Sequence, residues 1–176
     1  MQINHSKQIF SGKVVKLAVH EIRLPDGNLA VRELIEHPGA VAVVALDSQQ
    51  NVMLVRQFRI GANRELYEIP AGLLEAGETP EACARRELRE EIGYEPGRLE
   101  SLGGFFPAAG YTTEYIHLYF TRDLIYSPLA QDRDEFIEVV RLPLPEAVRL
   151  IEQGEIVDSK TIIGLLKVVH QLGLRI

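Results

Sequence analysis

Apolar and polar residues alternate through KVVKLAVHEIRL (13–24) and again through LAVRELIEH (29–37), with the turn formers Pro25, Asp26 and Gly27 between them. A period of two on either side of such a turn predicts a β-hairpin. Pro38 and Gly39 then interrupt the pattern. AVAVVALD (40–47) and VMLVRQFRI (52–60) follow, rich in β-branched residues and separated by the polar SQQN, and they predict two more strands. The first has no polar position before Asp47, which predicts a strand buried on both faces.

After ELYEIPAGLLEAGE (65–78) the signals become helical. Thr79 can cap a helix, Pro80 suits its first position, Glu81 favours its positive end, and Gly93 can close it in the left-handed conformation. Residues 72–77 then form a loop that runs into a helix N-terminus. RLESLGGFF (98–106), EYIHLYFTRDL (114–124) and FIEVVRLPL (136–144) predict strands, and SPLAQDRDE (127–135) a long connection. Two helices are predicted to close the sequence. One spans about 145–153, with Ala147, Leu150 and Ile151 on one side and Gly154 as its stop; the other spans about 159–172, with Ile162, Leu165, Leu166 and Val169 inward. The order predicts an α/β fold: a small N-terminal β unit over 1–37, and over 38–176 a domain with a mixed sheet packed between helices.

Composition narrows the function more than the fold. The 176 residues, 46% hydrophobic and 25% charged, describe an ordinary globular chain. A net charge of -6 argues against nucleic acid or an acidic membrane as partner, so the charge of any phosphate-rich ligand must be met locally or by a cation. Cys83 is the single cysteine, which excludes an intrachain disulfide and points to a reducing compartment. Its place within a helix predicts a small buried filler. The opening MQINHSKQIFSGK lacks the apolar core of a signal peptide, and no apolar run approaches the roughly 20 residues of a membrane span, so the expected location is the cytoplasm.

Candidate chemistry concentrates in RRELREEIG (85–93). On a helix Glu87, Glu90 and Glu91 project in nearly the same direction. Their repulsion is only a few tenths of a kcal/mol per exposed pair, which a solvated helix face tolerates. Three converging carboxylates equally suit one or more hard divalent cations. Arg86 can pair with Glu90 four residues on, whereas Arg85 and Arg89 are expected to meet solvent.

The spacing around that helix separates the two readings. Gly72 is followed by five residues, Glu78, seven residues, and then Arg86, Glu87, Leu88, Arg89, Glu90, Glu91, Ile92, Gly93 and Tyr94. This frame resembles the Nudix box at every polar and glycine position; Tyr94, where an aliphatic residue is usual, departs from it. The resemblance is tight over 72–94 and looser over about 31–140. It implies a Nudix α/β/α sandwich with a mixed sheet, whose box binds Mg2+ or Mn2+ through Glu87, Glu90 and Glu91 while Glu78 and Arg86 brace the loop against the helix. The chemistry is consistent: a diphosphate repels an incoming water, and divalent cations lower that barrier.

Outside the box, VRELIEHPGAVAVVAL, MLVRQFRIGANRELYEIPAGLLEAGE and DEFIEVVRLP look like the branch of ADP-ribose pyrophosphatases and related nucleoside diphosphate sugar hydrolases. The likeness implies the Ala71 carbonyl as a further metal ligand, Arg59 or else Arg56 on the diphosphate, and Glu68 as a carboxylate on the substrate or metal side. It also implies a homodimer in which Arg32 and Glu33 reach the neighbouring subunit's site. In FFPAAGYTTE, Gly110 and Glu114 match a loop that reads Ser-Pro-Gly in ADP-ribose enzymes, but Ala109 replaces the proline, which leaves other nucleoside diphosphate sugars open as substrates. The likeness further implies a base in the loop before IEVV; of Asp132, Asp134 and Glu135, Glu135 aligns best by its distance from IEVV, with a box-helix residue as the competitor. Two alternatives remain at this level. One is a hydrolase of dinucleoside polyphosphates or oxidised nucleotides, against which the N-terminal β unit and EIPAGLLE argue. The other is a domain that senses a nucleotide sugar without cleaving it, for which a degraded box or an attached DNA-binding module would be expected.

Overall fold

The computed structural model describes residues 2–131 and 136–174, and the chain divides into two compact units. The first comprises Met1–Gly39 with Phe106–Tyr115; the second comprises Ala40–Phe105 with Ile116–Ile176.

In the first unit, β1 (Gln2–Ser11), β2 (Lys16–Arg23) and β3 (Leu29–Glu36) form an antiparallel sheet in that order. The predicted hairpin joins β2 to β3: Gly27 takes φ +89°, and Asp26 Oδ1 accepts from Asn28 N at 3.0 Å. Strand β1 was not predicted, because QINHSKQIFS has no alternation and every residue of it is exposed. Residues 106–115 join the same unit on β3, where Tyr111 O accepts from Ile35 N at 2.8 Å and Thr113 N donates to Ile35 O at 2.9 Å. Chain order gave no sign of that attachment.

The second unit is built around β4 (Ala40–Ala45), all six residues of which are buried as its uniform apolar run predicts. Its neighbours are β10 (Ile116–Thr121), parallel, and β7 (Ala71–Leu73), antiparallel; β9 (Glu100–Phe105) lies beyond β10, so the sheet is mixed. Alternate residues of β4 serve different cores. Val41, Val43 and Ala45 meet Cys83, Ala84 and Leu88 from the helix α1 (Pro80–Glu87) and the turn after it. Ala42 and Val44 meet Leu144 and Ala147 of α2 (Leu144–Glu152) and Leu165 and Val168 of α3 (Ser159–Gln171). Each such valine or leucine contributes roughly 1.5–3 kcal/mol on burial. The result is the expected α/β/α layering. A second sheet orders β12 (Glu138–Pro143), β5 (Asn51–Arg59) and β6 (Arg64–Glu68), and β8 (Tyr94–Pro96) pairs with β11 (Leu124–Tyr126).

The inward face of α3 includes three of the four predicted residues, with Leu165 buried and Ile162 and Val169 packed against the core, but not Leu166. Leu166 is 46% exposed, and the buried positions are Thr161, Gly164, Leu165 and Val168. The cause is close approach: a Cβ on Gly164 would lie 2.8 Å from Val44 Cγ2 and 3.0 Å from Ile69 Cδ1. Thr161 is buried because its hydroxyl donates to Asp158 and accepts from Ile69 N. Glycine and threonine carry little weight in a hydrophobic pattern, so their place on the inward face is not legible in the sequence. Among the described residues no helix is long and apolar enough to cross a membrane.

Candidate active site

The box helix starts where its capping residues place it. Thr79 Oγ1 accepts from Ala82 N at 3.2 Å, Pro80 takes the first helical position and Glu81 lies in the first turn. After Glu87 the helix widens into a π-helical turn, Leu88–Ile92, and ends at Gly93 with φ 80°. Gly93 N therefore bonds to Leu88 O instead of Arg89 O. The released Arg89 carbonyl accepts from Leu129 N at 3.0 Å, which ties the segment after β11 to the helix.

The expectation that Arg85 and Arg89 meet only solvent does not hold. Arg85 Nη1 donates to Pro96 O at 2.6 Å and to Glu95 Oε1 at 3.0 Å. Arg89 Nε donates to Ser127 O at 3.0 Å and lies 3.4 Å from Glu95 Oε2. The chain turns back after Gly93, and β8 brings Glu95 between the two guanidinium groups. Tyr94, the departure from the box, packs edge-on to Tyr126 with ring centroids 5.7 Å apart and accepts from Arg141 Nη2 at 3.0 Å.

Arg86 holds the loop to the helix. Its Nε and Nη2 bind Glu78 Oε1 at 2.9 Å and Oε2 at 3.0 Å, and Nη1 lies 2.6 Å from Glu87 Oε1 and 2.9 Å from Glu90 Oε2. These hydrogen bonds outweigh burial and hold the Glu78 carboxyl down to about 2. Cys83, buried as expected, donates its thiol to Leu73 O at 3.3 Å. Burial first, and then the charges of Glu87 and Glu78, push the Cys83 thiol up, so it stays protonated and inert.

Two contacts fix the carboxylates to the strand that precedes them. Glu91 Oε2 accepts from Ala71 N at 2.9 Å. A Cβ on Gly72 would stand 1.9 Å from Glu87 Cδ and Oε1, so any other residue there would push that carboxylate aside. Among the described residues no three His, Cys, Asp or Glu side chains stand together closely enough to hold a metal ion. Arg86 Nη1, set between Glu87 and Glu90, supplies the positive charge there. The chemistry of the donor set nevertheless suits a hard divalent cation: Glu87, Glu90 and Glu91 offer only oxygens, Glu91 is bonded to the Ala71 amide, and the missing side chain of Gly72 gives the Glu87 carboxylate its place.

Arg59 and Glu68 are brought together as a forked pair, with Nε to Oε1 and Nη2 to Oε2 both at 2.7 Å. The Glu68 side chain is only 1% exposed. Burial would raise its carboxyl, but Arg59 and then Lys160 prevail and keep it below its ordinary value. Arg59 is raised chiefly by its bond to Glu68, with the charges of Glu91 and Asp158 adding to the effect. Of the box carboxylates, Glu91 thus acts on the charge of Arg59. Arg56 is instead engaged by Glu138 and by Glu65. Lys160, which also binds Glu68, was not foreseen; nothing in DSKT distinguishes it from a solvated lysine, although Asp158 is legible as the cap of α3.

The remaining candidates belong to the first unit. Arg32 and Glu33 lie on β3, where Arg32 Nη1 donates to Val31 O at 2.9 Å. Gly110 and the half-buried Glu114 belong to the segment held on that same strand. Glu135, with Asp132 and Asp134, lies outside the described residues.

Comparison with known proteins gives a consistent picture. A NUDIX domain model matches residues 36–163. The chain is 44% identical over 162 residues to a methanol dehydrogenase activator of Bacillus methanolicus, covering 91% of this chain and 88% of that one. It is 42% identical over 157 residues to an ADP-ribose pyrophosphatase of Bacillus subtilis, covering 88% and 85%. A crystal structure of an ADP compounds hydrolase shares the fold, with a TM-score of 0.87 at 22% identity over 98% of this chain and 94% of that one.

Proposed function

The chain belongs to the Nudix family, and on that basis we propose that it hydrolyses the diphosphate bond of ADP-ribose and related nucleoside diphosphate sugars. The products are a nucleoside monophosphate and a sugar phosphate. The observation that carries this reading is the packing of the Glu87 carboxylate onto Gly72 beside the Glu91 bond to Ala71, which gathers oxygen donors on one strand end.

A divalent cation, Mg2+ or Mn2+, held by Glu87, Glu90, Glu91 and the Ala71 carbonyl, supplies positive charge to the phosphate oxygens and makes water more acidic. The residues of the chain account for the rest. Arg59 presents the Nη1 edge of its guanidinium, which Glu68 leaves unused, to the diphosphate. Arg86 orients Glu87 and Glu90 and ties them to the loop through Glu78. Water attacks one phosphorus, the bridging P–O bond breaks, and a carboxylate accepts the water's proton; we assign that role to Glu135, with Glu90 or Glu91 as the competitor.

We also propose a homodimer formed through the N-terminal β unit, with Arg32, Glu33, Gly110 and Glu114 contributing to substrate recognition. Ile3, Ile9 and Phe10, exposed on β1, favour this assembly. Light scattering of the purified protein tests it, and a monomer at micromolar concentration would rule it out.

The activity is tested by incubating the protein with Mg2+ and ADP-ribose, ADP-glucose, GDP-mannose and UDP-sugars, and by following monophosphate release. Absence of monophosphate from all of them would overturn the reading.

A further inference from the structure

Glu68 is held by two cations. Arg59 grips both of its oxygens, and Lys160 Nζ binds Oε2 from the first turn of α3. Lys160 also lies 3.0 Å from Asp158 Oδ1, and Asp158 Oδ2 caps the helix by accepting from Thr161 N at 3.0 Å. The exposures are graded: Glu68 1%, Lys160 12%, Asp158 16% and Arg59 44%. Lys160 is therefore enclosed within the network, and Arg59 is the member that faces outward.

The charges of this network bear on ligand binding. Glu68, Asp158 and Lys160 together place one net negative charge behind the Arg59 guanidinium, and loss of Lys160 would double it. Arg59 would then be more fully neutralised by Glu68, and an incoming anion would meet a weaker field.

We propose that Lys160 is a positioning residue for substrate binding: by sharing Glu68, it fixes the Arg59 guanidinium and preserves its positive field for the diphosphate. This rests on the reading of Arg59 as the diphosphate contact. Lys160 itself does not touch substrate in this assignment. Its effect belongs to binding and not to the chemical step.

Binding of an α,β-methylene analogue of ADP-ribose, together with KM and kcat for ADP-ribose, is measured for Arg59→Gln, Lys160→Met, Lys160→Arg and the Arg59→Gln/Lys160→Met double variant. Lys160→Met is expected to weaken analogue binding and raise KM about tenfold, with kcat changed by less than about threefold. Lys160→Arg should recover most of the loss, and the double variant should bind no worse than Arg59→Gln alone. A purely structural lysine would lower thermal stability and kcat without moving KM. Wild-type binding by Lys160→Met beside a weakened Arg59→Gln, or additive losses in the double variant, overturns the role of Lys160. Wild-type binding by Arg59→Gln overturns the Arg59 reading, and the inference with it. Should Lys160→Met not fold, Asp158→Asn keeps the helix cap but removes a negative charge; it should tighten binding about twofold to threefold, and unchanged or weaker binding would overturn the proposal.

Discussion

The carboxylate of Glu87 fills the space that a side chain on Gly72 would need, with Cδ and Oε1 only 1.9 Å from the position of that missing Cβ. Glycine is required here by the neighbour and not by the backbone. Gly72→Ala is expected to displace Glu87 and lower kcat/KM by about 100-fold, as a misplacement near 1 Å does in other active sites. The concentration of Mg2+ giving half-maximal rate should rise with it. Wild-type kinetics for this variant would mean that Glu87 has no part in the reaction.

Glu90→Gln separates a hydrolase from a domain that only binds. The change keeps the shape of the side chain and removes a charge from the group that Arg86 orients. Turnover should fall at least about 100-fold, while affinity for the α,β-methylene analogue stays within about threefold. Retained turnover would exclude Glu90 from the ligand set.

The Glu78–Arg86 pair predicts a specific dependence of stability on pH. The folded carboxyl lies at about 2, against 4.5 for the free group. Because the folded value is depressed, the stabilisation is complete above the unfolded value and is lost as pH falls from about 5 towards 2. The difference corresponds to a contribution on the order of 3 kcal/mol. Urea unfolding in the presence of a chelator, at pH 7 and in steps down to pH 3, should show this loss for the native protein and much less of it for Glu78→Gln. Equal pH dependence of the two would refute the assignment.

Gly164→Ala tests the close approach of α3 to the sheet. Alanine gains about 1 kcal/mol in helix propensity, but its methyl would stand 2.8 Å from Val44 Cγ2 and 3.0 Å from Ile69 Cδ1. Overpacking of that kind costs about 1–3 kcal/mol. The variant should therefore melt below the native protein while retaining its activity at 25 °C. A higher melting temperature would show that α3 does not pack this tightly.

What the sequence revealed depended on how local each cause was. Thr79, Pro80 and Gly93 set the ends of the box helix through bonds within a few residues, so its limits were readable. The uniform apolar run of β4 likewise announced burial on both faces. The roles of Arg85 and Arg89 are not legible in the sequence because their partners, Pro96, Ser127 and Glu95, arrive only when β8 and the segment after β11 return to the helix. Lys160 was missed for a similar reason, since its partner Glu68 lies on β6, far away in the chain. The place of residues 106–115 on β3 follows from hydrogen bonds that no periodicity encodes.

On the proposed reading of the site, the π-helical turn at Leu88–Ile92 sets thermodynamic ideality against catalytic use. A regular helix would close the bond from Gly93 N to Arg89 O, and Leu129 N would then have to share that acceptor. Selection for heat resistance alone, or redesign towards a consensus helix, would favour that repair. Such variants should be more robust and less active, because rewinding the turn rotates Glu90 and Glu91 relative to Glu87. Engineering of this scaffold should therefore leave those five residues unimproved and look for stability elsewhere.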